Sequence, residues 1–208
     1  EVEASLKRLQ TDYIDLYQSH WPDHRVRQEE TLGAYDRLIR AGKVRFIGCS
    51  NYDEALLTEA LRLSANGLPR YQTLQNEYNL YTRNKFEGPV QDIVVKEGLS
   101  LICYYSLASG FLTGKYRSKA DLGQSPRGGG VGKYLDDKGM RVLAALDTVA
   151  ASTGAAPAEI ALAWINAQPG VAAPIASATS VRQLESLARG ARLALSAADL
   201  KLLTDAGR

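Results

Sequence analysis

Asp12-Tyr13-Ile14-Asp15-Leu16-Tyr17-Gln18-Ser19-His20-Trp21-Pro22 is a short β-branched and aromatic run that ends in polar residues and is broken by a proline. Such a run suits a pleated, half-buried strand, and Pro22 stops it. It follows a helical segment carrying Leu6 and Leu9, so the chain delivers a strand whose exit, from Gln18 to His20, is polar. The same alternation repeats outward. Residues 29–41 place Leu32, Tyr35, Leu38 and Ile39 on one helical face, with Gly42 just past the end, and 44–49 reads as the next strand. A segment with Leu56, Leu57, Ala60, Leu61 and Leu63 runs to Asn66-Gly67, and 71–76 is a third strand. Val90, Ile93, Val94 and Val95 mark another helix that stops at Gly98 and feeds the continuous apolar run 99–104, typical of a buried parallel strand.

Beyond that strand, 114–132 is rich in Gly, Ser and Arg and predicts an irregular, mobile surface loop. Helices are expected over 138–152 and 157–166, a fifth strand over 171–175, and closing helices over 180–193 and 196–206, with Ser180 and Ser196 as N-caps. Strands alternating with helices imply a parallel sheet in a single α/β domain over 1–208. An open doubly wound sheet and most of a barrel both fit. Polar or aromatic residues at the strand exits (His20, then Ser50 and Asn51, then Gln75 and Asn76, then Tyr104) favour a partial (β/α)8 TIM barrel. No G-x-G-x-x-G stands at a strand exit, and the helix after Gly128-Gly129-Gly130 begins too late to supply one.

Composition narrows the function classes. Of 208 residues, 45% are hydrophobic and 23% charged, and 25 basic against 23 acidic side chains leave a net charge of +2. That balance gives no phosphate-backbone track and no anionic membrane patch, so neither nucleic acid nor membrane is expected as a partner. No stretch approaches the roughly 20 apolar residues of a membrane span, and Glu1-Val2-Glu3-Ala4-Ser5 lacks a signal layout, which points to the cytoplasm. Cys49 and Cys103 sit in apolar runs and read as buried structural thiols, and no metal-ligand spacing is present.

Asp12 to Tyr17 with His20 and Pro22, Gly48-Cys49-Ser50-Asn51, Gln75-Asn76-Glu77-Tyr78-Asn79, and Leu107-Ala108-Ser109-Gly110-Phe111-Leu112-Thr113-Gly114-Lys115-Tyr116 together resemble the aldo-keto reductases over nearly the whole chain. Each motif alone is weak; their order at successive strand exits is specific. The resemblance implies a TIM barrel that transfers hydride between NADP(H) and a carbonyl carbon of a small substrate, without metal or flavin. It implies that Ser50, Asn51 and Gln75 hold the nicotinamide carboxamide and that Tyr104 stacks on the ring. Leu107, Ser109, Gly110 and Lys115 match the pyrophosphate loop, and Arg127 resembles an arginine that some members use to clamp a phosphate. Ser177 to Leu184 looks like the adenosine-phosphate segment, with Thr179 and Gln183 as its best-matched positions.

The departures are specific too. Ser186 and Leu187 stand where the family often has Glu and Asn, and Tyr105 stands where a serine is common. His20 matches the catalytic histidine, which orients the substrate carbonyl or tunes the proton donor, and Trp21 beside it would wall the substrate pocket. Each residue also has a plainer reading: His20 and Gln75 as hydrogen-bonded structural groups, Ser50-Asn51 as a helix N-cap, Tyr104, Trp21 and Trp164 as packing, His24 as solvated.

Three functions remain open at this level: an NADPH-dependent reductase of aldehydes or ketones, a nicotinamide-binding redox-sensing regulatory subunit resembling the potassium-channel β subunits, and an unrelated barrel such as an aldolase or phosphate-binding isomerase. The family's tyrosine acid, lysine and aspartate match no segment of this chain, and an incomplete parallel sheet would leave unpaired edges, to be explained by absent upstream residues, proteolysis or self-association. Residues 1–208 alone are therefore expected to show no NADPH-dependent carbonyl reduction. Measurable NADPH consumption by this chain with a simple aldehyde would overturn that expectation.

Overall fold

The computed structural model describes residues 1–125 and 127–208, and the chain divides into two compact units. The first comprises 1–76 and 88–101, the second 77–87 and 102–208. The strand order follows the chain from β1 to β5, and β4 (Ser100–Cys103) contributes its first half to one unit and its second half to the other.

In the first unit the elements are α1 (Val2–Leu9), β1 (Ile14–Ser19), α2 (Gln28–Arg40), β2 (Val44–Ser50), α3 (Glu54–Ala65), β3 (Tyr71–Gln75) and α4 (Pro89–Lys96). β1, β2, β3 and β4 pair in parallel, with Gln18 opposite Gly48 and Thr73 opposite Ser100. The first strand lies slightly later than the sequence predicts, because pairing opens with the Ile14 amide donating to the Lys43 carbonyl. Of the apolar residues of the first helix, Val2 and Leu6 are buried and Leu9 is exposed.

One face of these strands is sealed by an aromatic chain. Tyr17, Tyr35, Tyr71 and Tyr52 meet edge to face at centroid distances of 6.1, 6.3 and 5.6 Å, and the hydroxyls of Ser19 and Tyr35 share a hydrogen bond of 2.6 Å. Burial drives the Tyr71 phenol far above its ordinary range. On the opposite face the Thr73 hydroxyl donates to Gln18 Oε1 at 2.9 Å, passing directly over Gly48. A Cβ there would stand 2.2 Å from Thr73 Oγ1, so the residue must be glycine. Phe46, two positions earlier on the same face, is 56% exposed. Asp53, rather than Ser50-Asn51, caps α3, its carboxylate accepting from the Leu56 amide at 2.9 Å.

The second unit holds the end of β4, α5 (Asp137–Thr153), α6 (Pro157–Asn166), β5 (Val171–Pro174), α7 (Val181–Gly190) and α8 (Ala197–Ala206). The Ile175 amide ties β5 to β4 through the Cys103 carbonyl at 2.7 Å. α6 is buried from Glu159 to Ile165 and packs against α5, α7 and β5, which is why its run is apolar all round. Trp164 is core as expected, its indole N–H donating to Thr204 Oγ1 at 2.9 Å. Ser180 and Ser196 cap α7 and α8 as expected.

The stretch 114–132 corrects one expectation. Rather than being irregular, it carries 3-10 turns at Lys119–Gln124 and Gly128–Gly130, with another at Gly132–Tyr134. Residue 126 lies outside the described residues. The physical reason is anchoring: Tyr116, Val131 and Tyr134 are buried, the Asp121 carboxylate accepts from the amides of Arg117 and Ser118, and Arg117 forms a two-pronged ion pair with Asp147. Among the described residues no helix is long and apolar enough to cross a membrane.

Both cysteines are buried, and burial raises the Cys49 thiol strongly and the Cys103 thiol to about 11. A thiol reagent should therefore label the native chain at least about tenfold more slowly than the urea-unfolded chain, because the thiolate is the reactive form. Gly48→Ala should cost about 1–3 kcal/mol in urea unfolding by forcing Thr73 and Gln18 apart. Thr73→Ala introduced beside it should restore part of that loss.

Candidate functional site

Parallel strands end with backbone groups that have no strand partner, and side chains must satisfy them. In the first unit, the exits of β1, β2 and β3 do this with four of the residues singled out from the sequence. The Ser50 hydroxyl donates to the Gln75 carbonyl at 2.6 Å, and the Asn51 amide N–H reaches the same carbonyl at 3.1 Å. Asn51 then turns into the left-handed region at φ 62°, a conformation that Asn tolerates better than most residues. Its Nδ2 donates to the His20 carbonyl at 2.9 Å and to Ser50 Oγ at 3.1 Å.

His20, Ser50, Asn51 and Gln75 are thus gathered by hydrogen bonds at one end of the strands. His20 is exposed there. Trp21 is 65% exposed, its ring tilted against His20 at a centroid distance of 5.9 Å, and it lines a small cavity with Ser19, His24 and Gln28. Asn76, buried beside Gln75, donates to the Tyr52 carbonyl at 2.9 Å.

In the second unit, the exit of β4 continues into a run of unusual backbone. Tyr105 has φ 53°, and Ala108, Ser109 and Gly110 follow at 47°, 58° and 96°. Three consecutive left-handed residues make a tight turn, which the buried Phe111 and Leu112 anchor from below. Lys115 folds back over this turn; a Cβ at Gly110 would stand 3.9 Å from its Nζ. Leu107 accepts the Gly110 amide at 2.8 Å, closing the turn, with Ser109 at its tip. Tyr104 bridges to Glu77, and burial raises its phenol, with the Glu77 carboxylate adding to the shift.

Asn79 had no role assigned from sequence although it sits in the Gln75 to Asn79 motif. It is fully buried, donates from Nδ2 to the Tyr105 carbonyl at 3.0 Å, and accepts from the amides of Tyr81 and Thr82 at 2.9 and 2.7 Å. Its only advance sign is an amide side chain placed between large apolar residues, Tyr78 and Leu80.

Further along the second unit, Thr179 and Gln183 are brought together at the start of α7. Gln183 Oε1 accepts from both the amide and the hydroxyl of Thr179, at 2.8 and 3.1 Å. Ser186 turns inward: its hydroxyl donates to Glu159 Oε1 at 2.7 Å, where Arg189 also binds. Burial works against the charge on Glu159, yet these donors hold its carboxyl below the usual range. Sequence reading missed Glu159, which looks like an ordinary helix charge. Arg127 is exposed at the entry to the Gly128–Gly130 turn. Among the described residues no group of His, Cys, Asp and Glu is arranged to hold a metal.

Comparison with known proteins points to one family. The family model described as "Aldo/keto reductase family" matches residues 1–208. Protein tas of Escherichia coli is 36% identical, covering 94% of this chain and 62% of the relative. Aldo-keto reductase YhdN of Bacillus subtilis is 35% identical over 97% of this chain and 60% of its own, and a probable voltage-gated potassium channel subunit beta of Oryza sativa is 33% identical over 88% and 58%. A crystal structure of the thermostable aldo-keto reductase Tm1743 in complex with the inhibitor epalrestat superposes with a TM-score of 0.80 at 32% identity, covering 99% of this chain and 64% of that one. The chain spans less than two thirds of each of these relatives. The match over all 208 residues places the chain in the aldo/keto reductase family.

Proposed function

We propose that the protein is an NADPH-dependent oxidoreductase that reduces small aldehydes or ketones to alcohols, and that these strands are four to eight of a (β/α)8 barrel. The observation that carries the reading is the hydrogen-bonded grouping of His20, Ser50, Asn51 and Gln75 at the strand exits. The residues fit a dinucleotide: Lys115 stands over a turn of small residues, where backbone comes close and an ammonium meets phosphate charge. Bound NADPH supplies the hydride.

In this reading Ser50, Asn51 and Gln75 hold the carboxamide and so fix which face of the ring is offered. Tyr104 supplies the stacking face. Leu107, Ser109, Gly110 and Lys115 cradle the pyrophosphate, with Arg127 as a further phosphate clamp. Thr179 and Gln183, held to one another at the start of α7, face the adenosine phosphate, where helix N-terminal amides favour an anion. Ser186, engaged with Glu159, makes no adenine contact, and the adenine is held by fewer polar groups than is usual in the family. His20 orients the substrate carbonyl beside the Trp21 wall.

A second reading has its own support in the similarity to the potassium channel subunit: the same residues bind the nucleotide, and binding rather than turnover is the function. Steady-state turnover of the complete protein with a simple aldehyde, set against NADPH affinity, separates the two.

NADPH should quench the protein fluorescence of the 208-residue chain, and NADH should bind more weakly. Asn51→Ala should weaken NADPH binding about tenfold, because it removes the amide that donates to the His20 carbonyl and to Ser50 Oγ. A chain that shows no saturable NADPH binding by titration would sink both readings.

A further inference from the structure

Tyr105 is in the wrong conformation for its type. A bulky aromatic residue at φ 53° is strained, and glycine or asparagine normally fills such a position. Its ring does not repay the strain by burial, since the residue is 56% exposed. Strain without packing gain, beside a binding loop, points to function.

What holds the strain is Asn79. The Tyr105 carbonyl accepts from Asn79 Nδ2 at 3.0 Å and from the Ala108 amide at 2.7 Å, so rotating this peptide toward an ordinary conformation breaks both bonds. Asn79 is itself immobilised, because its Oδ1 caps the Tyr81 and Thr82 amides and its side chain is fully buried. The clamp sets the direction of the Tyr105 ring, which meets Tyr104 at a centroid distance of 5.4 Å and an interplanar angle of 63°. An edge-to-face neighbour fixes the plane of the ring it touches.

We propose that Asn79 is a positioning residue that locks the left-handed Tyr105 peptide, and that the resulting Tyr104–Tyr105 aromatic corner is a nucleotide-binding element in which Tyr105 adds a wall. The proposal rests on the NADPH reading above and deepens it. In place of the small hydroxyl common at this position in the family, this chain offers a ring.

The test compares Asn79→Asp, Tyr105→Phe and Tyr105→Ala with wild type in the full chain, by NADPH titration and by near-ultraviolet circular dichroism without nucleotide. Asn79→Asp keeps the oxygen that caps Tyr81 and Thr82 and loses the amide donor to Tyr105. Asn79→Asp and Tyr105→Ala should each weaken NADPH binding about tenfold, while Tyr105→Phe, which keeps the ring, stays within about twofold. The tyrosine difference spectrum of Asn79→Asp should reproduce that of Tyr105→Ala.

A purely structural Asn79 would lower the unfolding midpoint and leave NADPH affinity and the tyrosine spectrum unchanged, which overturns the proposal. Should Asn79→Asp not fold, Tyr105→Ala decides, because its side chain is exposed; unaltered NADPH affinity there is equally fatal. Wild type that binds no NADPH removes the cofactor reading and the corner's role with it. In that event the dichroism still reports separately whether Asn79 sets the Tyr105 ring.

Discussion

Asparagine amides binding backbone carbonyls beyond the strand ends are the interaction on which the rest of this structure depends. Asn51 holds His20, Asn76 holds Tyr52, and Asn79 holds Tyr105, each from Nδ2 to a carbonyl at 2.9–3.0 Å. A parallel strand that ends leaves carbonyls unpaired, and leaving one buried and unmet costs about 1–3 kcal/mol. Water could meet that need but would leave the loops free to move. A side-chain amide meets it and fixes the loop in one place.

The same constraint explains where the backbone is strained. Asn51, Tyr105, Ala108 and Ser109 all have positive φ, and all lie just beyond β2 or β4. These turns must reverse the chain within a few residues while keeping specific carbonyls in reach of their donors. Local strain is offset by packing below it: Phe111 stacks on Tyr134 at 5.4 Å, and the tyrosine chain from Tyr17 to Tyr52 locks the strands of the first unit. Four of the five described non-glycine residues with positive φ lie at these exits, and the fifth, Gln10, ends α1.

Membership of one family does not by itself make all relatives alike at this site. Ser186 is drawn inward by the buried Glu159, together with Arg189, and Gly190 lets α7 approach the α6 backbone, where an added Cβ would stand 3.0 Å from Glu159 Cα. Ser186 is here part of a helix-to-helix tie. Tyr105 is the opposite case, a large exposed ring where a small residue is common.

Alternating apolar periods determined by themselves that the chain is α/β with parallel strands, because a strand period of two and a helix period near 3.6 cannot be exchanged without exposing the core. Polar or aromatic residues after the first four strands, from His20 to Tyr104, likewise marked the candidate site in advance. Tertiary structure alone decided which carbonyl each of those amides binds, because a hydrogen bond between residues 26 or 31 positions apart has no local signature. It also decided that Tyr116 and Tyr134 are buried, since whether they find apolar partners depends on elements far away in sequence. Asn79 shows the division most clearly: its residue type was plain in the motif, but its task exists only where the fold carries Tyr105 into reach.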